Sequence, residues 1–338
     1  MTLQDSHISL AHGNGGRYMR ELIDEVFARH LSNGTLDTSA DSVALSLPGE
    51  QIMFTTDGFT VQPLEFPGGS IGSLAVHGTT NDLAVSGADP LYLSLNAFIE
   101  EGFDVAQLER IVADLGRAAA EIGVSVVAGD TKVLPRGHGG GVYLATTGIG
   151  VYRHPGKLAM GEIREGDMML VSGTIGDHGI SVMLAREQFG LRGDILSDAT
   201  SVLPLTQALR GIAGTRFMRD PTRGGLVSVA HEITRATGLA LTLNAPAIPV
   251  RPAVHTVCDM LGYDPYYLAC EGRVVAVVAP DAAEAALAAW QDLPDGRDAA
   301  LIGELRADNA GAPVTLTTEV GGRRMLEELE DDPLPRIC

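Results

Sequence analysis

LYLSLNAFIEEGFDVAQLERIVADLGRAAAEIGVSVVAGD, residues 91–130, carries two changes of hydrophobic period within forty residues. Residues 91–99 read as a strand. Residues 104–122 carry apolar side chains at helical spacing and are stopped by Gly123. Residues 124–128 read as a strand again and run into Asp130. Strand, helix and strand in that order give an α/β chain whose helices cover a sheet. Working outward, residues 43–47, 52–56 and 142–149 are strand-like and residues 70–87 helical. The strands fall in hairpin-like pairs, so a mixed or antiparallel sheet is expected rather than a doubly wound one.

The Pro- and Gly-rich run RHPGKLAMGEIREGD, residues 153–167, marks a boundary. A second α/β segment follows it, with strands at 168–171, 239–243, 274–278, 299–305 and 313–318. Helices are expected near 178–189, 200–210, 224–237, 252–261 and 281–291. The expected organisation is therefore a Gly-rich arm and helix (1–40), two α/β domains (41–152 and 153–319) and a mobile tail (320–338). HGNGGR at 12–17 opens the first helix, which carries Tyr18, Leu22, Ile23, Val26 and Phe27. A glycine-rich turn of this kind can hold phosphate on its free N–H groups. It is no Walker loop, and the dinucleotide fingerprint is missing too.

A chain of 338 residues is long enough for two domains, and its net charge of −19 excludes some partners. A phosphate backbone or an anionic membrane surface would be repelled, so neither nucleic acid nor membrane is expected. A nucleotide would need metal ions to bridge it to an acidic site. No apolar run approaches 18 residues and no basic leader precedes one, which points to a soluble cytoplasmic protein. The three cysteines, Cys258, Cys270 and Cys338, form no CxxC pair. That suits a reducing compartment and offers no zinc spacing.

Acidic residues recur just beyond apolar strands or inside glycine-rich turns. Asp57 closes IMFTTD, Asp130 closes VSVVAGD, and Asn81 and Asp82 lie in HGTTNDLAVSGADP. Asp41 begins a strand and Asp220 opens DPTRGG. Singly, each is a common helix cap or turn former. As a set they suggest carboxylates converging on hard cations, in a magnesium–nucleotide site without a P-loop. Within Asp220–Gly225, Thr222, Arg223 and Gly224 bring a close backbone and a positive charge to phosphate. Lys132, two residues past Asp130, is suited to stabilising developing negative charge. Glu271, in LACEG, is an acid among apolar neighbours and suits a general base. His178 is a second candidate for that role. His77 and Cys258 read as core residues.

The chain closes on DDPLPRIC, residues 331–338. A terminal thiol on an arm stiffened by two prolines is an odd place for a structural cysteine. Its own carboxylate and the acidic run Glu327, Glu328, Glu330, Asp331 and Asp332 disfavour the thiolate, so activation needs a cationic pocket elsewhere. Some 17 extended residues from Gly321 would reach about 55 Å.

Together GTTNDLAVSGADP, GDTKV, RDPTRGG, ACEG and the terminal PRIC resemble the HypE family of nickel–iron hydrogenase maturation factors. These are carbamoyl dehydratases related to aminoimidazole ribonucleotide synthetase. The resemblance covers essentially the whole chain, and PRIC is its most specific part. It implies a two-domain PurM-like fold, a homodimer paired through its N-terminal domains, and ATP with Mg2+ as cofactors. It also implies that Cys338 accepts a carbamoyl group from the partner HypF, is dehydrated to a thiocyanate, and passes cyanide to HypC–HypD. Carried onto this sequence, Cys338 is the acceptor, Glu271 the base and Lys132 the partner of the carbamoyl oxygen or γ-phosphate. Asp41, Asp57, Asn81, Asp82, Asp130 and Asp220 match nucleotide and magnesium positions, with Thr222, Arg223 and Gly224 beside the phosphates. How Glu271, Lys132 and His178 divide the proton transfers stays open. A selenophosphate synthetase fits poorly, since no cysteine lies in the N-terminal glycine-rich segment. A small-molecule synthetase with an incidental tail and a non-catalytic carrier are the other readings.

Overall fold

The computed structural model describes residues 6–13, 17–36, 47, 51–186, 193–307 and 313–328. These fall into two compact units, one of residues 6–83 with 89–152 and the other of 84–88 with 153–328. Residues 43–46 of the expected strand at 43–47, Asp41 and Cys338 lie outside the described residues.

The first unit opens with α1 (Arg17–Leu22), a π-helical turn (Ile23–Ala28) and α2 (Arg29–Leu31). Then come β1 (Ile52–Phe59), β2 (Glu65–Phe66), β3 (Gly69–Ser70) and α3 (Ile71–Val85). The stretch that decided the fold becomes β4 (Ala88–Glu100), α4 (Val105–Ile122) and β5 (Ser125–Leu134), followed by β6 (Val142–Tyr152). The sheet order is β1-β6-β4-β5, with β1 antiparallel to β6 and β4 parallel to β5. It is mixed, as the strand pairing implied.

The reasons for α4 are local. Asp104 caps it by accepting from Gln107 N at 2.7 Å, and Gly123 ends it at φ +78°. Leu108, Ile111, Val112 and Leu115 form its buried stripe, each contributing about 1.5–3 kcal/mol on leaving water. α3 comes so close that a Cβ on Gly72 would lie 2.0 Å from Ile111 O. Only glycine permits that approach.

Two strands run further than their sequences suggested. β1 pairs with β6 through Asp57↔Thr146 to Phe59↔Leu144, and β5 continues past Asp130 to Leu134. Asp57 and Asp130 therefore lie within strands rather than at their ends. A charge does not end a ladder when one face of the sheet is open, and Phe54 and Lys132 mark such faces.

The second unit contains β7 (Met168–Val171), α5 (Asp177–Ala185), α6 (Leu203–Ala208), β8 (Thr215–Arg219), α7 (Gly225–Thr237) and β9 (Leu239–Asn244). After them come α8 (Pro252–Leu261), β10 (Val275–Val278), α9 (Ala283–Gln291), β11 (Ala300–Ala307), β12 (Val314–Thr317) and β13 (Arg323–Met325). The sheet runs β13-β12-β9-β11-β7-β10-β8, with β12 parallel to β9. β10 is buried along its whole length, as its unbroken VAVV requires. One core gathers Phe217, Leu226, Ile233, Val277 and Ile302, and another surrounds Trp290, whose Nε1–H donates to Leu205 O at 2.9 Å.

Four strands escaped the sequence reading, the two-residue β2 and β3 and the longer β8 and β13. β8 is short and carries arginines at positions 2 and 5 of TRFMR. β13 falls inside the expected tail, where its three residues pair with β12 and are followed by the buried Leu326. Residues 320–328 are thus not a free arm. Among the described residues, no helix is long and apolar enough to cross a membrane.

Candidate functional site

In the first unit β1, α3 and β5 position the polar residues. Thr55 donates its hydroxyl to Asp82 Oδ2 at 2.9 Å, which ties β1 to α3. Asp57 accepts from Gly58 N at 2.8 Å, and a Cβ on Gly78 would come within 3.8 Å of Asp57 Oδ2. Two turns of α3 thus face β1. Asn81 on the same helix is 1 % exposed. On β5, Asp130 accepts from Thr131 N at 2.8 Å and pairs with Lys132 Nζ at 3.0 Å. Both side chains of that pair are more than half exposed, so it is weakly held. His77 is packed as expected, and burial pushes its imidazole down to about 4.

The second unit builds a buried polar centre around Glu271, which is 3 % exposed. Asp198 Oδ1 accepts from Glu271 N at 3.2 Å. A Cβ on Gly272 would lie 1.9 Å from Asp198 O, so the two segments are pressed together at the backbone. Arg273 donates through Nε to Thr174 O at 2.9 Å and stands 3.4 Å from Asp198 and 3.8 Å from Asp177. Asp177 Oδ2 also accepts from the Thr174 hydroxyl at 2.5 Å and from Arg251 Nε at 3.1 Å. Burial outweighs these partners and holds the Asp177 carboxyl above the usual aspartate range. His178, at the start of α5, lies 2.8 Å through Nδ1 from Ser197 Oγ.

The DPTRGG turn joins this centre. Pro221 O accepts from Cys270 N at 3.0 Å, and Gly225 N donates to Thr222 O at 2.9 Å. Gly224 and Gly225 take positive φ, and a Cβ on Gly225 would meet Leu268 O at 2.5 Å. Asp220 is buried while Arg223 is exposed. Cys270 is fully buried, its thiol pushed well above the usual range by burial, so it is no nucleophile. Cys258 is a core residue too, pushed up to about 12.

Asp57 and Asp82 are brought together through β1 and α3, and Asp130 with Lys132 on β5. Glu271, His178 and Asp220–Gly224 are brought together in the second unit. Among the described residues, no three His, Cys, Asp or Glu side chains are grouped to hold a metal ion. The sequence reading missed Thr174, Asp177, Asp198, Arg251 and Arg273. Asp177 and Arg273 adjoin His178 and the CEG motif, which was the available signal, whereas nothing marks LSDAT around Asp198.

The chain's two halves match two family models, the AIR synthase related protein N-terminal domain over residues 39–152 and the corresponding C-terminal domain over 164–314. It is 44 % identical to "Carbamoyl dehydratase HypE" of Azotobacter vinelandii, across 100 % of this chain and 99 % of that one. The chain belongs to the HypE family. A solved HypE in complex with ATP superposes with a TM-score of 0.93 at 41 % identity, covering 98 % of this chain and 99 % of that one. A HypE from a HypE–HypF complex superposes at 0.79 and 40 % identity, covering 91 % and 99 %. The fold is accordingly the two-domain PurM-like fold.

A solved HypE holds ATP, and the acids of the first unit suit a nucleotide bridged by magnesium. Magnesium is commonly held by one or two carboxylates plus substrate phosphates, so no group of three is required. Asp57, Asp82 and Asp130 offer the hard oxygens and Lys132 a cation. In the second unit, α7 starts at Gly225, and its N-cap Gly224 has no side-chain cap hydrogen bond.

Proposed function

We propose that this chain dehydrates an S-carbamoyl group on its own Cys338 to a thiocyanate at the expense of ATP. The observation that carries the reading is a PRIC terminus on a chain similar to a carbamoyl dehydratase from end to end. Cys338 takes the carbamoyl group from HypF, a partner supported by the solved HypE–HypF complex. ATP with Mg2+ supplies the phosphoryl group that turns the carbamoyl oxygen into a leaving group. That oxygen bonds to the γ-phosphorus as ADP leaves, and one N–H proton is lost. The second N–H proton then goes to a base, the C–O bond breaks, phosphate departs and the C≡N bond is complete. The S–C bond of the thiocyanate then breaks as the acceptor HypC–HypD supplies two electrons, which releases the CN group as a cyanide ligand and returns the Cys338 thiolate.

Among this chain's residues, Glu271 is the base, held among Asp198, Cys270 and the DPTRGG turn. Lys132 neutralises charge on the carbamoyl oxygen or γ-phosphate. Asp57, Asp82 and Asp130 would hold magnesium and, with Asn81, the nucleotide; Asp220, Thr222, Arg223 and Gly224 would lie beside phosphate. Asp41 is assigned with them from its motif alone. The active form is a cytoplasmic homodimer. Burial around Glu271 excludes water that would hydrolyse the activated intermediate.

Intact-mass analysis with carbamoyl phosphate, HypF, ATP and magnesium tests this. The chain should gain one carbamoyl and then lose one water only with ATP, and Cys338→Ala should do neither. Glu271→Gln should load normally and stall before dehydration. Arrest of the wild type at the carbamoyl adduct would mark a carrier instead.

A further inference from the structure

Three segments of the second unit are laced together around Glu271: residues 174–180, 195–202 and 268–273. Ile180, Ile195 and Leu268, one from each, share a core. Gly179 N donates to Ala269 O at 3.2 Å, and Gly176 N donates to Cys270 Sγ at 3.3 Å. The turn that opens α5 therefore lies along the backbone just ahead of Glu271, and His178 lies there with it.

The middle segment carried no motif in the sequence. Residues 193–202 belong to no helix or strand, and neither do residues 268–274 apart from their ends. No ladder or helix holds Glu271, so its place depends on side chains reaching its backbone. Asp198 does this with a carboxylate that is 1 % exposed. Its Oδ1 accepts from Glu271 N at 3.2 Å, and its Oδ2 stands 3.4 Å from Arg273 Nε. A Cβ on Gly272 would lie 1.9 Å from Asp198 O and 2.8 Å from Thr200 Cγ2. The loop is thus pressed onto the residue that follows Glu271. The neighbouring Ser197 meets His178 instead: its Oγ lies 2.8 Å from Nδ1 and accepts from Ala199 N at 3.0 Å.

We infer that Ser197 and Asp198 are positioning residues, Ser197 for His178 and Asp198 for Glu271. This rests on the reading of Glu271 as the base. Consecutive Cα atoms are about 3.8 Å apart, so one step of one loop sets the register of both candidates for proton transfer. The two contacts differ in kind. Ser197 fixes the orientation of an imidazole ring, whereas Asp198 fixes the backbone from which a carboxylate projects. A carboxylate acceptor makes a firmer bond to N–H than a neutral one, and Arg273 keeps its second oxygen in place. Displacing a reacting group by about 1 Å can cost about 100-fold in rate.

The test uses the full-length chain, carbamoylated by HypF, with dehydration followed by intact mass in single turnovers at several ATP concentrations. Asp198→Ala removes both contacts. It should slow the maximal dehydration rate about 100-fold, while loading and half-saturating ATP stay at wild-type values. Asp198→Asn keeps an oxygen for Glu271 N but gives up the charge facing Arg273. It should therefore lower the unfolding midpoint and still recover most of the rate. Leu316→Ala, a cavity in the core at β12, should lower the midpoint and leave the rate alone. Ser197→Ala leaves every buried charge in place, should slow dehydration about tenfold, and should be rescued by Ser197→Thr. Should Asp198→Ala fail to fold, the Ser197 variants decide alone. Wild-type dehydration by Ser197→Ala or by a folded Asp198→Ala overturns the inference. So does equal slowing by Asp198→Asn and Asp198→Ala, or slowing by Leu316→Ala in step with its midpoint. Glu271→Gln is run alongside, and wild-type dehydration there overturns the base reading itself.

Discussion

Asp130 and Lys132 of the first unit meet at 3.0 Å with side chains 51 % and 59 % exposed, whereas Arg273 of the second stands 3.4 Å from Asp198 and 3.8 Å from Asp177 with all three at 10 % or less. The distances are similar and the energetics are not. An exposed pair contributes about 0–1 kcal/mol, because water solvates both charges whether or not they touch. It can be given up to a ligand at small cost. A buried cation between two carboxylates cannot be given up, since removing it strands charges already out of water. The first unit thus keeps Asp130 available for exchange, and the second uses Asp198 to hold the backbone of Glu271 still.

The largest expected effect follows from that contrast. Arg273→Met should destabilise the chain by about 3–5 kcal/mol, because Asp198 and Asp177 lose their shared cation. Lys132→Met should change stability by less than about 1 kcal/mol. Urea unfolding of both variants measures the difference. Equal losses would break the distinction between the units.

How much of this was legible in the sequence depends on the kind of signal. α4 announced itself through its stripe, Asp104 and Gly123, all of them local. β8 and β13 did not, because a strand of three to five residues with arginines among them is held by its neighbours in the sheet rather than by its own pattern. The same division runs through the site. Asp57, Asp82, Asp130 and Glu271 stood in recognisable motifs. Asp198 matters because Glu271 N donates to it across 73 positions of sequence, and no local pattern encodes such a contact. Strand ends were misjudged at Asp57 and Asp130 because an open sheet face accepts charge.

Acidification should pull the two units in opposite directions. His77 is neutral in the fold, with a pKa near 4 against an ordinary 6.5. The unfolded chain takes its proton first, so stability is lost as pH falls from about 6.5 through 4, by up to about 3 kcal/mol for this group. Asp177 has the reverse sign. Burial raises its pKa, so the fold holds the proton that the unfolded chain releases, and stability is lost as pH rises from the ordinary aspartate range. Opening free energies from amide exchange, resolved by segment, separate the two. His77→Gln should blunt the acid loss in α3, and Asp177→Asn should blunt the loss in α5 on going from pH 4 to 7. A common response in both helices would show that neither group controls its own unit.

The smallest effect on stability should come with a large effect on activity. Asp57 is partly exposed on β1 and accepts from the adjacent Gly58 N, and Asp57→Asn removes charge while leaving an acceptor in place. Folding stability should move by no more than about 0.5 kcal/mol. If Asp57 is a ligand of the magnesium–nucleotide, the KM for ATP should rise about tenfold, because an amide oxygen is a poor substitute for a carboxylate on a hard cation. Loading of Cys338 by HypF should be untouched. Raised magnesium should partly restore the rate if the lost group bound the metal, and should not if Asp57 serves only the strand. An unchanged KM would leave Asp82 and Asp130 as the acids that hold the metal and return Asp57 to the fold.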